Sequence, residues 1–248
     1  MTNGDFATGP YFLIAIFAIG VLSGGTAAVV GFGIGSLMTP LLLTRFTASL
    51  AIALVALPHL VATALRFVRH RAAIDRAVVW RFGVPSAIGG AVGGVLHGIL
   101  RSETLIDVLA VLLILTGIAN LTSGFGRWHP RPVLASVMGL LSGIFGGLVG
   151  NQGGLRAAGL SAFNLEPRPF LATGTAVALL IDVARTPFYL ARGGAQLLDL
   201  WAPIAVATAG CVIGTILGER LFLRMSRETY RRVIGTAVLL VGIWLLAV

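Results

Sequence analysis

Two five-residue segments hold the groups best suited to chemistry: Gly31-Phe32-Gly33-Ile34-Gly35 and Gly150-Asn151-Gln152-Gly153-Gly154. Each interrupts a long apolar stretch, and glycine at that density favours an unwound backbone over a continuous helix. Unwound backbone is tolerated at membrane depth only where protein or a water-filled cavity covers it. Helices that restart after such breaks aim free N–H groups and the positive ends of their dipoles at the gap, an arrangement that favours an anion. The amides of Asn151 and Gln152 add donors, and an amide unpaired in hydrocarbon is costly, so they point to an occupant. The plainer reading of the same glycines is close helix packing through small residues. Arg156, two positions past Gly154, is either a cation for the same anion or an anchor reaching to the interface. Its counterpart in the first segment is Leu37, so any role it has is one-sided.

Other residues carry weaker signals. His59 follows Pro58 inside an apolar run and is either a proton carrier or a packed, hydrogen-bonded imidazole. Asp182 lies three positions before Arg185, the spacing of a local helical ion pair. Arg66 and Arg185 hold equivalent places at the ends of apolar runs, where snorkelling is expected. Thr39, Thr173 and Thr175 either add hydroxyl donors near the breaks or bond their own backbone. His70, His97 and His129 read as loop or interface residues, and no spacing among the four histidines resembles a metal site. The lone Cys211 rules out an intramolecular disulfide and a multi-cysteine metal site. No metal and no cofactor are expected. Gly-x-Ser-Gly, His-Glu-x-x-His and paired intramembrane aspartates are all missing, which argues against an intramembrane enzyme. Few acids lie within the apolar runs, which argues against a cation pump.

The elements that must position these groups follow from composition. Of the 248 residues 57% are hydrophobic and 11% charged, more apolar surface than a soluble domain of this length could hide. The apolar runs are continuous rather than alternating, which excludes a closed barrel. The net charge of +9 comes entirely from arginine among the cations, concentrated in short segments between apolar runs. That is the distribution of positive-inside loops and not of a nucleic-acid face. Met1 to Pro10 lacks the basic start of a cleaved signal, so the first run is expected to be retained.

Residues 11–121 repeat in 130–248. Ser23-Gly24 falls on Ser142-Gly143, Gly31 and Gly35 on Gly150 and Gly154, and Arg66 on Arg185, all 119 positions apart. After a slip of five, Ile74-Asp75 falls on Leu198-Asp199, Gly90 and Gly94 on Gly214 and Gly218, and Ser102 on Ser226. One duplication explains these matches together. It divides the chain into an N-terminal repeat, 1–124, and a C-terminal repeat, 125–248, within one membrane domain. Arginine bias then sets orientation. Arg66, Arg69, Arg71, Arg76 and Arg81 belong inside and the loop near Arg101 and Glu103 outside. In the second half Arg185 and Arg192 are offset by Asp182 and Asp199, while Arg220, Arg224, Arg227, Arg231 and Arg232 crowd the next segment. Corresponding loops thus lie on opposite sides, the mark of inverted-topology repeats.

Six full spans are expected, near 47–65, 82–100, 105–121, 170–186, 200–218 and 232–248. The stretches 11–44 and 133–162 are expected to enter and return as two short or half helices each. The expected fold is an all-α polytopic membrane protein: two inverted repeats whose glycine-broken helices meet near the midplane, six spans plus two helical hairpins, both termini outside.

At this point the sequence resembles the TauE/SafE sulfite exporters, a family of anion permeases for sulfite, sulfoacetate and related compounds. The resemblance covers nearly the whole chain. It rests on Gly24 to Pro40, with the first glycine run followed by Leu37 to Leu43, and on Leu141 to Leu160, with the second. Family patterns often carry more hydroxyl residues where this chain has Phe32 and Ile34. The resemblance implies efflux of a small sulfur oxyanion through the inner (plasma) membrane; the breaks themselves place the substrate of a secondary transporter at Gly31, Phe32, Gly33, Gly35, Gly150, Asn151, Gln152, Gly153, Gly154 and Arg156. Efflux of a monoanion from a negative interior releases roughly 2.3 kcal/mol per 100 mV and needs no coupling ion. No nucleotide-binding signature is present. A passive anion channel lined by the same donors is the competing reading. The expected partners are the small anion and the bilayer, with a homodimer left open.

Overall fold

The structure is a computed structural model and describes residues 9–122, 131–221 and 227–247. Asp5, Arg224, Ser226, His129 and the repeat boundary at 124/125 lie outside the described residues, as do the side chains of Arg220, Arg227 and Arg231. Every regular element among the described residues is helical. The first half comprises α1 (Pro10–Val30), α2 (Ile34–Leu43), α3 (Ala48–His70), α4 (Arg76–His97, its second turn widened over Val79–Gly83) and α5 (Ser102–Leu121). The second comprises α6 (Pro132–Val149), α7 (Gly153–Leu160), α8 (Pro167–Asp199), α9 (Trp201–Leu221) and α10 (Arg227–Ala247). Six of the described helices, α1, α3, α4, α5, α8 and α9, are long and apolar enough to cross a bilayer, which makes this a multi-pass membrane protein; they include α1 and not the expected span 232–248, of which the described part is a shorter apolar helix.

Two further differences concern helix length. The first arm of the 11–44 stretch is not short: α1 has 21 residues, about 31 Å of helix, enough to cross alone. Its internal glycines do not break it because they face a neighbouring backbone; a Cβ at Gly24 would come within 2.1 Å of the Cys211 carbonyl on α9. The expected end near residue 186 is also passed. α8 runs 33 residues to Asp199, through Pro187, Gly193 and Gly194. Its extra turns pack by Tyr189 and Leu197, both buried, and residues of good helix propensity such as Ala195, Gln196 and Leu198 carry it onward.

Packing is reciprocal between the halves. α1 packs on α9 as α6 packs on α4; α3 packs on α9 as α8 packs on α4; α3 meets α8, and α5 meets α10. The tightest pairs run backbone to backbone on small residues, Gly89 and Gly93 of α4 facing Gly143 and Gly147 of α6. Without a hydrophobic force between helices in lipid, such close approach is what holds them. The short helices α2 and α7 are thereby enclosed, with Ile34, Met38, Ala158 and Leu160 almost fully buried.

Candidate functional site

α1 and α6 end in the same way. Gly31 and Gly150 take left-handed conformations, φ 83° and 73°, and their N–H groups close back on Ala27 O and Gly146 O at 3.0 Å each. A left-handed cap of this kind is what glycine supplies at least cost. The chain then turns and restarts as α2 after Gly33 and as α7 after Gln152.

The two breaks meet. A Cβ on Gly35 would sit 2.3 Å from Gly150 O, and the Phe32 side chain occupies the space where a Cβ of Gly153 would go. Ser36 Oγ donates to Asn151 Oδ1 at 3.5 Å, and Arg156 Nη2 donates to Gly31 O at 2.5 Å. Arg156 is only 5% exposed, which rules out the interfacial-anchor reading. Ser142 Oγ donates to Gln152 O at 3.2 Å and fixes the second break from behind.

Several donors are left over at this junction. Asn151 Nδ2, Gln152 Nε2 and Arg156 Nη1 are buried and lack a protein partner, as does Gln152 Oε1. The first N–H groups of α2 and α7 have no carbonyl of their own helix to bond. Beside Asn151 and Gln152 lies a cavity of about 740 Å³, walled along one side by α5 and on the other by Phe145, Gly154 and Leu155. On the Arg156 side lies a separate space of only about 20 Å³, between Gly31, Gly153, Arg156 and Gly174. The arrangement can therefore take a group rich in acceptors. Of the expected site residues, Phe32, Gly35, Gly150, Asn151 and Gly153 touch or face across the junction, and Gly33 and Gln152 start the two short helices. Among the described residues no group of three His, Cys, Asp or Glu could hold a metal ion.

Behind the breaks lies a buried polar cluster. Arg66 and Arg185 do not snorkel: they are 2% and 1% exposed. Their Nη1 atoms donate to Ala27 O at 2.6 Å and to Gly146 O at 2.5 Å, the carbonyls that also receive Gly31 and Gly150. Each arginine thus caps the C-terminal end of a broken arm, where carbonyls lack partners and the dipole is negative. The expected ion pair of Asp182 with Arg185 is present at 2.8 Å, and it extends further than its local spacing suggested. Asp182 Oδ2 lies 2.6 Å from His59 Nδ1 on α3, so the cluster ties one half to the other. Thr63, the counterpart of Asp182, stands between His59 Nδ1 at 3.3 Å and Arg66 Nη2 at 3.1 Å.

Of the hydroxyl candidates, Thr175 bonds its own backbone at Leu171 O, Thr173 accepts from Asp75 N, and Thr39 Oγ1 is buried without a partner. His97 is 4% exposed, against the expectation of a loop or interface residue. It bonds Leu148 O at 2.8 Å and stacks near Tyr189, whose hydroxyl donates to Gly147 O. The signal for a packed His97 in the sequence is its place one turn after Gly93-Gly94, on a face that packs closely against α6.

The family model described as Sulfite exporter TauE/SafE matches residues 16–245, nearly the whole chain. No curated protein matches it significantly.

Proposed function

The chain belongs to the sulfite exporter TauE/SafE family, and we propose on that footing that it exports sulfite or a related small organosulfonate through the plasma membrane by alternating access. The observation that carries this reading is the set of buried, unpartnered donors where the breaks meet: Asn151 Nδ2, Gln152 Nε2 and Arg156 Nη1. Left unpaired, the two amides would cost about 1–3 kcal/mol each and the charged guanidinium more. An oxyanion supplies the acceptors they lack. Gly31, Gly33, Gly35, Gly150, Gly153 and Gly154, with Phe32 seated on Gly153, let the two breaks close together around it, and the starts of α2 and α7 face it with positive dipole ends.

Transport follows if the two halves, read as inverted repeats on either side of the 124/125 boundary, rock about the junction and expose it alternately to each face. The reciprocal packing of α1 on α9 and α6 on α4 supports that reading, because a movement available to one half is available to its counterpart. The segments rich in arginine lie inside and both termini outside. His59, joined to Asp182 across the halves, is the residue through which a proton could be coupled.

The test is sulfite flux in proteoliposomes, comparing the native chain with Gln152→Ala and Arg156→Ala at matched reconstitution. Saturable flux that counterflows and that both substitutions reduce at least tenfold is expected. Undiminished flux in both variants would remove the site from the second break, and flux without saturation would make the protein a channel.

A further inference from the structure

The cavity beside the second break is built for more than an anionic head. Its wall is hydrocarbon, with Val111, Leu112 and Leu115 of α5 facing Phe145 and Leu155. Polar groups are confined to a few places: the amides of Asn151 and Gln152, the threonines of α5, and Asp107 toward one end. From Asp107 to Thr122 the lining follows α5 over about 22 Å at 1.5 Å per residue. A bare oxyanion carries its hydration with it and gains nothing from such a wall, whereas an alkyl chain gains by leaving water. Charge sets where the head binds. Asp107 is exposed and repels an anion, while Asn151 Nδ2 and Gln152 Nε2 are buried donors without partners. Val111 and Leu115 are also 46% and 57% exposed, so the slot opens sideways along α5, where an amphiphile could enter from the bilayer.

Resting on the reading that the second break binds an anion, we propose that the site accepts organic anions with an unbranched alkyl tail, the sulfonate head at Asn151 and Gln152 and the tail along α5. Head and tail are separately testable. Binding of methanesulfonate, butanesulfonate and octanesulfonate would be measured on the full chain in lipid nanodiscs, with empty nanodiscs subtracted. The dissociation constant is expected to fall roughly two- to fourfold per added methylene, so that octanesulfonate binds at least a hundredfold more tightly than methanesulfonate. Ala119→Phe and, as an independent variant, Val111→Phe fill the slot and are expected to cut that ratio to below tenfold. Gln152→Ala is expected to weaken all three ligands by a similar factor. A dissociation constant independent of chain length, with Gln152→Ala still weakening all three, would overturn the tail and leave the anion site standing. A chain-length gain that both phenylalanine variants leave intact would also overturn it. No binding of any sulfonate, or binding that Gln152→Ala leaves unchanged, would overturn the anion site together with the tail.

Discussion

Gly35→Ala tests whether the two breaks must touch. The added methyl would lie 2.3 Å from Gly150 O and 3.1 Å from Gly150 C, so the breaks must part by about 1 Å to restore an ordinary contact, an overpacking cost of about 1–3 kcal/mol. Both listeners to that shift are backbone, which cannot swing away as a long side chain would. The Ser36 to Asn151 contact, already at 3.5 Å, would be lost. With it goes the orientation of the Asn151 amide, and a misplacement of about 1 Å at a positioned polar site costs on the order of a hundredfold in rate. Gly193→Ala is the control. Nothing lies within 4 Å of a Cβ there, and alanine in a helix interior is favoured over glycine by up to about 1 kcal/mol. Thermal unfolding in nanodiscs and sulfite flux in proteoliposomes would be read for both variants. Gly35→Ala is expected to melt lower and to lose about two orders of magnitude of flux, while Gly193→Ala melts at or above the native temperature with native flux. Native stability and flux in Gly35→Ala would refute the contact between the breaks as a working part of the site.

Further outcomes follow from the buried cluster and from orientation. Asp182→Ala strands Arg185 in a site 1% exposed and is expected to cost about 3–5 kcal/mol; the double variant Asp182→Ala/Arg185→Met should recover part of that loss in the same unfolding assay. Arg66→Lys and Arg185→Lys keep the charge but lose the planar fork that reaches Ala27 O and Gly146 O, so flux is expected to drop severalfold in each. Cys211 is fully buried, so the native chain should resist membrane-impermeant thiol reagents. Against that background Glu103→Cys should label in intact cells and Ala72→Cys only after the membrane is opened; the reverse pattern would invert the orientation proposed above.

Much of this protein was legible without coordinates. Continuous apolar runs cannot be folded in water, so a multi-pass helical protein followed from hydropathy alone. The breaks were legible because glycine at Gly31 and Gly150 takes a backbone conformation that other residues adopt only with strain, and sequence carries that demand directly. Arg66 and Arg185 were visible as a repeated pair, but their role was not. An arginine near the end of an apolar run reads as snorkelling unless its acceptor is known, and the acceptors, Ala27 O and Gly146 O, lie 39 positions away and have no side-chain signature. The same limit hid the link from His59 to Asp182, which joins residues 123 positions apart on helices from different halves. Sequence thus determined which residues are apolar and which backbone positions must break. Only tertiary packing decided that the breaks press against each other, that Arg156 crosses from one to the other, and that an apolar slot runs along α5. Each of those depends on distances between helices, and such distances are set by the packed whole.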